Sequence, residues 1–148
     1  MIRRYGWIAA LVLIADRVTK ALAAEIPAAG AVLIPGVIGL RRTLNTGMAF
    51  SLLSGRPWLL GLLSLGIVAG AFLFLRGKKL RPLTQIGLML MLGGAAGNMI
   101  DRFLAGSVTD MIELLFVDFA IFNLADVCLV VGCGLVMISI LRSGDEET

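Results

Sequence analysis

The chain contains no histidine. That removes the usual neutral-pH general base and the commonest metal ligand, and with them Ser-His-Asp, Cys-His and ordinary zinc mechanisms. Acid/base chemistry, if present, rests on carboxylates, and no metal or other cofactor is expected. Cysteine is scarce as well: Cys128 and Cys133 stand five apart in an apolar run, so on one helix they point about 140° apart and cannot bridge. They read as small buried hydrophobes. Charge is sparse, at 16% of 148 residues against 59% hydrophobic, and a mean hydropathy of +0.98 excludes an ordinary soluble globule. The net charge of +3 is not a nucleic-acid footprint. Arg76, Lys78, Lys79 and Arg81 are packed between two apolar runs with no aromatic-studded basic face, which marks membrane topology and argues against a nucleic-acid partner.

What is present is a set of apolar runs. A membrane crossing needs about 20 such residues, and four stretches meet or approach that length: about 5–24, 58–75, 83–103 and 122–141. The first resembles a cleavable secretory signal, but Asp16, Arg17 and Lys20 interrupt it and favour a retained helix. Trp58 suits an interfacial anchor, and Gly66 and Gly70 have the spacing of a close helix contact. The basic stretch 76–81, with Arg3 and Arg4, belongs on the cytoplasmic side. The expected fold is therefore an integral membrane, mainly α protein. Residues 1–148 form one membrane-embedded domain of four transmembrane helices, both ends cytoplasmic, with outer loops at about 25–57 and 104–121. Within the first loop, VLIPGVIGLRRTL reads as short strands and turns, giving a small extracytoplasmic sheet, with residues 45–51 turning back toward the bilayer. The second loop, SVTDMIELLFVDFAIF, reads as a short hairpin.

Polar residues concentrate where hydrocarbon should be. Asn98, Asp101 and Arg102 follow the run GGAAG at helical spacing, and Asn123 and Asp126 open the fourth span. Charges beside lipid are costly and mark functional sites. Asp16 and Lys20 are four apart and read as an ion pair. Asn45 and Gly47 make either a turn or a ligand-facing loop. With the topology above, Asp16, Asn45, Asp101, Arg102, Asp110, Asn123 and Asp126 all fall on the outer side, although only hydropathy and basic residues set that topology. They are expected to share one site.

DRVTK (16–20), NTGMAFS (45–51), GGAAGNMIDR (93–102), VTD (108–110) and FNLAD (122–126) resemble, in order, the motif blocks of lipoprotein signal peptidase, or signal peptidase II. The resemblance covers essentially the whole chain. It implies an aspartic endopeptidase of the bacterial cytoplasmic membrane that removes the signal peptide of a diacylglyceryl-modified prolipoprotein, cutting before the lipid-modified cysteine. It implies Asp110 and Asp126 as the catalytic pair and Asn45, Gly47, Asn98, Arg102 and Asn123 as lining the substrate site. Asp16, Lys20 and Asp101 are implied as supporting charges. Membrane lipid is the other expected partner, and the enzyme is expected to act as a monomer. Met111, Glu113 and Val127 depart from the family pattern, where Phe, Asp and Ser are expected. Asp118, in VDF, rivals Asp110, whose distance from GNMIDR fits better. Two other classes compete: an ion-coupled transporter using Asp16, Asp101 and Asp126, and a noncatalytic scaffold in which glycines pack helices and aspartates cap them. A transporter would carry ionisable residues at several depths, and the second and fourth spans have none in their cytoplasmic halves.

Overall fold

In a computed structural model of the chain, which describes residues 2–47, 57–75, 77 and 80–144, the apolar runs become four helices: α1 (Ile2–Leu22), α2 (Pro57–Leu75), α3 (Pro82–Leu104) and α4 (Leu124–Gly144). Three strands lie between them, β1 (Ala31–Ile34), β2 (Ile38–Asn45) and β3 (Val108–Leu114). Residues 48–51 of the expected inward loop, the basic Arg76, Lys78 and Lys79, and the acidic tail lie outside the described residues.

Helix α3 is central and packs against α1, α2 and α4. Its small residues explain why. A Cβ on Gly93 would stand 2.8 Å from the Ala9 carbonyl oxygen of α1, and one on Gly94 would stand 2.5 Å from that of Ala125 on α4. One on Gly97 would meet the Asp16 carboxylate at 2.5 Å. GGAAG is thus a packing surface for two helices at once, and a place where α1 presses a carboxylate onto α3. Lower down, Gly87 and Gly132 let α3 and α4 touch backbone to backbone, and the Thr84 hydroxyl donates to Ser139 at 2.8 Å. By contrast, among the described residues nothing lies within 4 Å of a Cβ placed on Gly66 or Gly70. The expected contact is not made there, because that face of α2 is turned outward. Instead the Phe103 ring sits 3.0 Å from where a Cβ on Gly61 would be.

The outward faces are apolar. Trp7, Leu11, Ile14 and Val18 on α1, Leu62 and Ile67 on α2, and Val130, Met137 and Ile140 on α4 are all exposed, as is Trp58. Exposed aliphatic faces around buried charges invert the soluble pattern. Among the described residues, Pro82–Leu104 and Leu124–Arg142 are long and apolar enough to cross a membrane, and Trp58–Ala71 is a shorter apolar helix. Cys128 and Cys133 are free thiols. Cys133 is exposed rather than buried, since it shares the outward side of α4.

Pro82 starts α3, where a missing N–H costs nothing. Its end is closed by the Ala105 N–H to Asp101 carbonyl bond, followed by Gly106 in the left-handed region at φ 68°, which turns the chain into β3. The sheet is antiparallel in the order β1-β2-β3. Of the hairpin expected in the second outer segment, one antiparallel bridge is made, Ile112 to Phe122. β3 pairs with β2, with Thr43 opposite Asp110 and Asn45 opposite Val108, while residues 115–119 are exposed and the chain returns at Phe122. The β3–α4 segment therefore brings Asp110 and Asn123 together from two directions.

Candidate active site

Asn123 caps α4. Its side-chain oxygen accepts the Asp126 N–H at 3.0 Å, and its own backbone N–H donates to Asp126 Oδ2 at 3.1 Å. This is the reciprocal arrangement of a capping box, with Asp as the third residue after the cap. The spacing Asn-x-x-Asp at the start of the fourth span is the signal of this box in the sequence. The box uses one Asp126 oxygen. The other, Oδ1, accepts from Asn98 Nδ2 at 2.9 Å, so Asp126 is held from α3 as well as from its own helix.

Asp110 sits mid-strand on β3 and is only 3% exposed. Its Oδ2 accepts from Asn45 Nδ2 at 3.0 Å and its Oδ1 from Asn123 Nδ2 at 2.6 Å. Asn45 reaches it because the two residues lie diagonally across the β2–β3 pair. All four carboxylate oxygens of Asp110 and Asp126 therefore accept a hydrogen bond, and Asn123 touches both residues. Burial pushes the Asp110 carboxyl above its ordinary value; the bonds from Asn45 and Asn123 pull it down, and the charge of Asp126 pushes it further up. Asp118, the rival, lies on the exposed 115–119 segment, where the buried network does not reach it.

Asn98 is the junction. Its side-chain oxygen accepts from Lys20 Nζ at 2.8 Å and from Asn123 Nδ2 at 3.2 Å, which leaves its Nδ2 aimed at Asp126. Arg102, one turn on, donates to the Asn98 carbonyl at 3.3 Å and to the Gly47 carbonyl at 3.1 Å. Gly47 in turn donates its N–H to Asn45 Oδ1 at 2.9 Å, closing a short turn. Asn45 thus both closes a turn and donates to Asp110, while Gly47 contacts Asn45 and Arg102. Asn98, Asp101 and Arg102 do not all look the same way: Asn98 and Arg102 face the carboxylate pair, whereas Asp101 faces α1.

On that side lies a four-charge cluster. Lys20 Nζ is 2.9 Å from Asp16 Oδ2 and 2.6 Å from Asp101 Oδ2. Arg17 is 3.0 Å from Asp16 and 2.6 Å from Asp101, and also donates to the Gly97 carbonyl at 3.2 Å. Asp16 is fully buried, which two cations make tolerable. The expected Asp16–Lys20 pair is therefore half of a larger unit. In the sequence Arg17 only interrupts an apolar run; its spacing of three from Lys20, which puts two cations on one helix turn, is the signal of its role. Glu113 faces away and pairs with Arg41 at 2.6 Å on the sheet surface. Met111 is buried while Val127 is exposed.

Two acids joined through one asparagine, with an arginine and a lysine near them, form a unit able to hold a single shared proton. The chain is similar to known proteins along nearly its whole length. The family profile described as Signal peptidase (SPase) II matches residues 8–142. A lipoprotein signal peptidase of Lactiplantibacillus plantarum is 42% identical over 143 residues, covering 93% of each chain. One from Thermosynechococcus vestitus is 39% identical over 137 residues, covering 86% of this chain and 85% of its own. A bacterial membrane enzyme solved by the in meso method at 2.3 Å resolution superposes with a TM-score of 0.90 at 30% identity, over 100% of this chain and 93% of its own. A second, at 1.9 Å resolution, gives 0.84 at 31% identity over 96% and 95%. With apolar outer faces and a match over nearly its whole length, this chain belongs to the signal peptidase II family and is a membrane protease.

Proposed function

We propose that the protein cleaves bacterial prolipoproteins before the lipid-modified cysteine, using a water molecule activated by Asp110 and Asp126. The observation that carries this is the double role of Asn123, which donates to Asp110 and caps the helix turn that presents Asp126. Among the described residues neither carboxylate has an ion-pair partner within reach, its hydrogen bonds coming from amides and a backbone N–H, and two neighbouring carboxylates share a proton more readily than both ionise. One takes a proton from water as the oxygen attacks the scissile carbonyl. The other hydrogen-bonds the carbonyl oxygen as charge develops there. Charge counting supports the shared proton: four buried or half-buried aspartates, Asp16, Asp101, Asp110 and Asp126, surround three cations, Arg17, Lys20 and Arg102. One proton on the pair brings the group to neutrality.

Asn45, Gly47, Asn98, Arg102 and Asn123 line the substrate site in this reading, and Asp16, Lys20 and Asp101 support it from behind. All four helices span the cytoplasmic membrane in a single domain, α1 beginning and α4 ending on the cytoplasmic side, with the sheet and the carboxylates outside. A signal peptide is itself an apolar helix, and a diacylglyceryl group stays in lipid, so a site at the bilayer edge fits both. The enzyme acts as a monomer without cofactor. Asp110→Asn and Asp126→Asn, purified in detergent and shown to be folded, are expected to lose nearly all cleavage of a lipidated prolipoprotein. Wild-type rates in both would end the proposal.

A further inference from the structure

The two aspartates have unlike surroundings. Asp110 lies mid-strand, is nearly fully enclosed and receives only the neutral amides of Asn45 and Asn123. Asp126 is half-buried, sits in the first turn of α4 and accepts its cap N–H. A helix N-terminus favours negative charge there. The Asp126 neighbour Asn98 is moreover hydrogen-bonded to a buried ammonium, Lys20. A cation on the amide oxygen polarises the amide and strengthens its N–H as a donor. The charged and titratable groups around Asp126 are Lys20, Arg17 and Asp16 on α1, Asp101 and Arg102 on α3, and Asp110 on β3, with Cys128 on its own helix. Asp16 and Asp101 balance Arg17 and Lys20 among themselves. Arg102 then remains to face a carboxylate pair that bears one charge.

Building on the two-aspartate reading, we infer that Asp126 is the ionised base and Asp110 the protonated acid. Lys20 is a positioning residue that sets this polarity through Asn98, and Arg17 keeps Lys20 in place by sharing both of its carboxylates. Asp126 removes a proton from water while the water oxygen bonds to the scissile carbonyl carbon, and Asp110 passes its proton to the carbonyl oxygen. Asp126 then gives its proton to the departing amide nitrogen as the C–N bond breaks, and Asp110 recovers a proton from a hydroxyl of the intermediate. Both residues return to their starting forms, and one water is consumed.

The polarity makes the two isosteric variants unequal. An amide at position 110 still donates a hydrogen bond to the carbonyl oxygen, whereas an amide at position 126 accepts no proton from water. Asp110→Asn should therefore retain a residual rate about tenfold or more above that of Asp126→Asn. Lys20→Met risks misfolding, because it leaves two aspartates to Arg17. The double variant Asp16→Asn/Lys20→Met removes one charge of each sign and preserves the Arg17–Asp101 pair. Its folded fraction, measured with a lipidated prolipoprotein across pH, should show kcat lowered about tenfold, KM little changed, and the acid limb of the profile moved to higher pH. Lys20→Gln, which keeps a donor without the charge, should leave that limb displaced. Equal residual rates in the two aspartate variants, a reversed order, or a wild-type profile in the double variant would overturn the inference. Full activity in both aspartate variants would instead remove the reading beneath it.

Discussion

Asn123 and Asp126 exchange two hydrogen bonds, backbone to side chain in each direction, and the same asparagine donates to Asp110. A helix cap and a bridge between two acids are one side chain. Asn123→Ala is expected to cost about 1 kcal/mol of stability through the lost cap, seen as earlier thermal unfolding in detergent, and to reduce cleavage roughly a hundredfold by releasing both acids. Asn123→Asp separates the roles. It keeps an oxygen for the Asp126 N–H but removes the donor to Asp110, so the helix start should persist while cleavage is lost.

Burial holds the proton of Asp110 to higher pH than an ordinary aspartate. Activity that needs one proton on the pair falls as that proton leaves, so the basic limb of the pH profile should lie above the usual carboxylate range and vanish in Asp110→Asn. Stability has the matching sign. With the folded pKa raised, the contribution of Asp110 is complete below its unfolded value near 4 and is lost as pH rises through the folded value. Unfolding temperature should therefore decline more from about pH 4 to neutrality in the wild type than in Asp110→Asn.

Gly97 and Gly66 should respond oppositely to alanine. A Cβ at 97 would lie 2.5 Å from Asp16 Oδ2, displacing a carboxylate held by two cations; overpacking of this kind costs about 1–3 kcal/mol, and cleavage should drop with it. A Cβ at 66 meets nothing within 4 Å, so Gly66→Ala should be neutral or stabilise by up to about 1 kcal/mol. Thermal unfolding of the two variants in one detergent checks this.

Arg41 and Glu113 pair at 2.6 Å, with the arginine side chain 55% exposed. Exposed pairs contribute about 0–1 kcal/mol. Arg41→Ala should shift unfolding little and leave the cleavage rate within about twofold of wild type, which distinguishes this surface pair from the buried cluster around Lys20.

Helices were legible because hydrocarbon demands long apolar runs, and the short strands because glycine and proline break the first loop where they should. The buried carboxylates stood out for the same reason: a charge in such a chain is conspicuous. Less legible were contacts whose meaning depends on which helix comes alongside. Gly66 and Gly70 have the same spacing as a packing motif, yet a Cβ there would meet open space, whereas Gly87, Gly93, Gly94 and Gly97 are pressed against neighbouring helices. Arg17 looked like noise until α3 supplied Asp101. The segment after Asp110 contains enough β-formers for a hairpin, but it folds back for a single bridge and its longer pairing is with β2. Sequence spacing shows which side chains share a face, not what that face will touch.

The doubled contact between α3 and α4 has a mechanical corollary. Gly87 against Gly132, Gly94 against Ala125 and the Thr84–Ser139 hydroxyl pair join these two helices at three heights, so prising them apart would break backbone packing along the whole seam. A substrate arriving sideways from the bilayer is expected to enter beside α2, which rests on α3 through Gly61 and Phe103 but leaves open space at Gly66 and Gly70 among the described residues. A covalent tether from α2 to α3 should then jam the protease, and one from α3 to α4 should leave it running; the opposite result would place the doorway elsewhere.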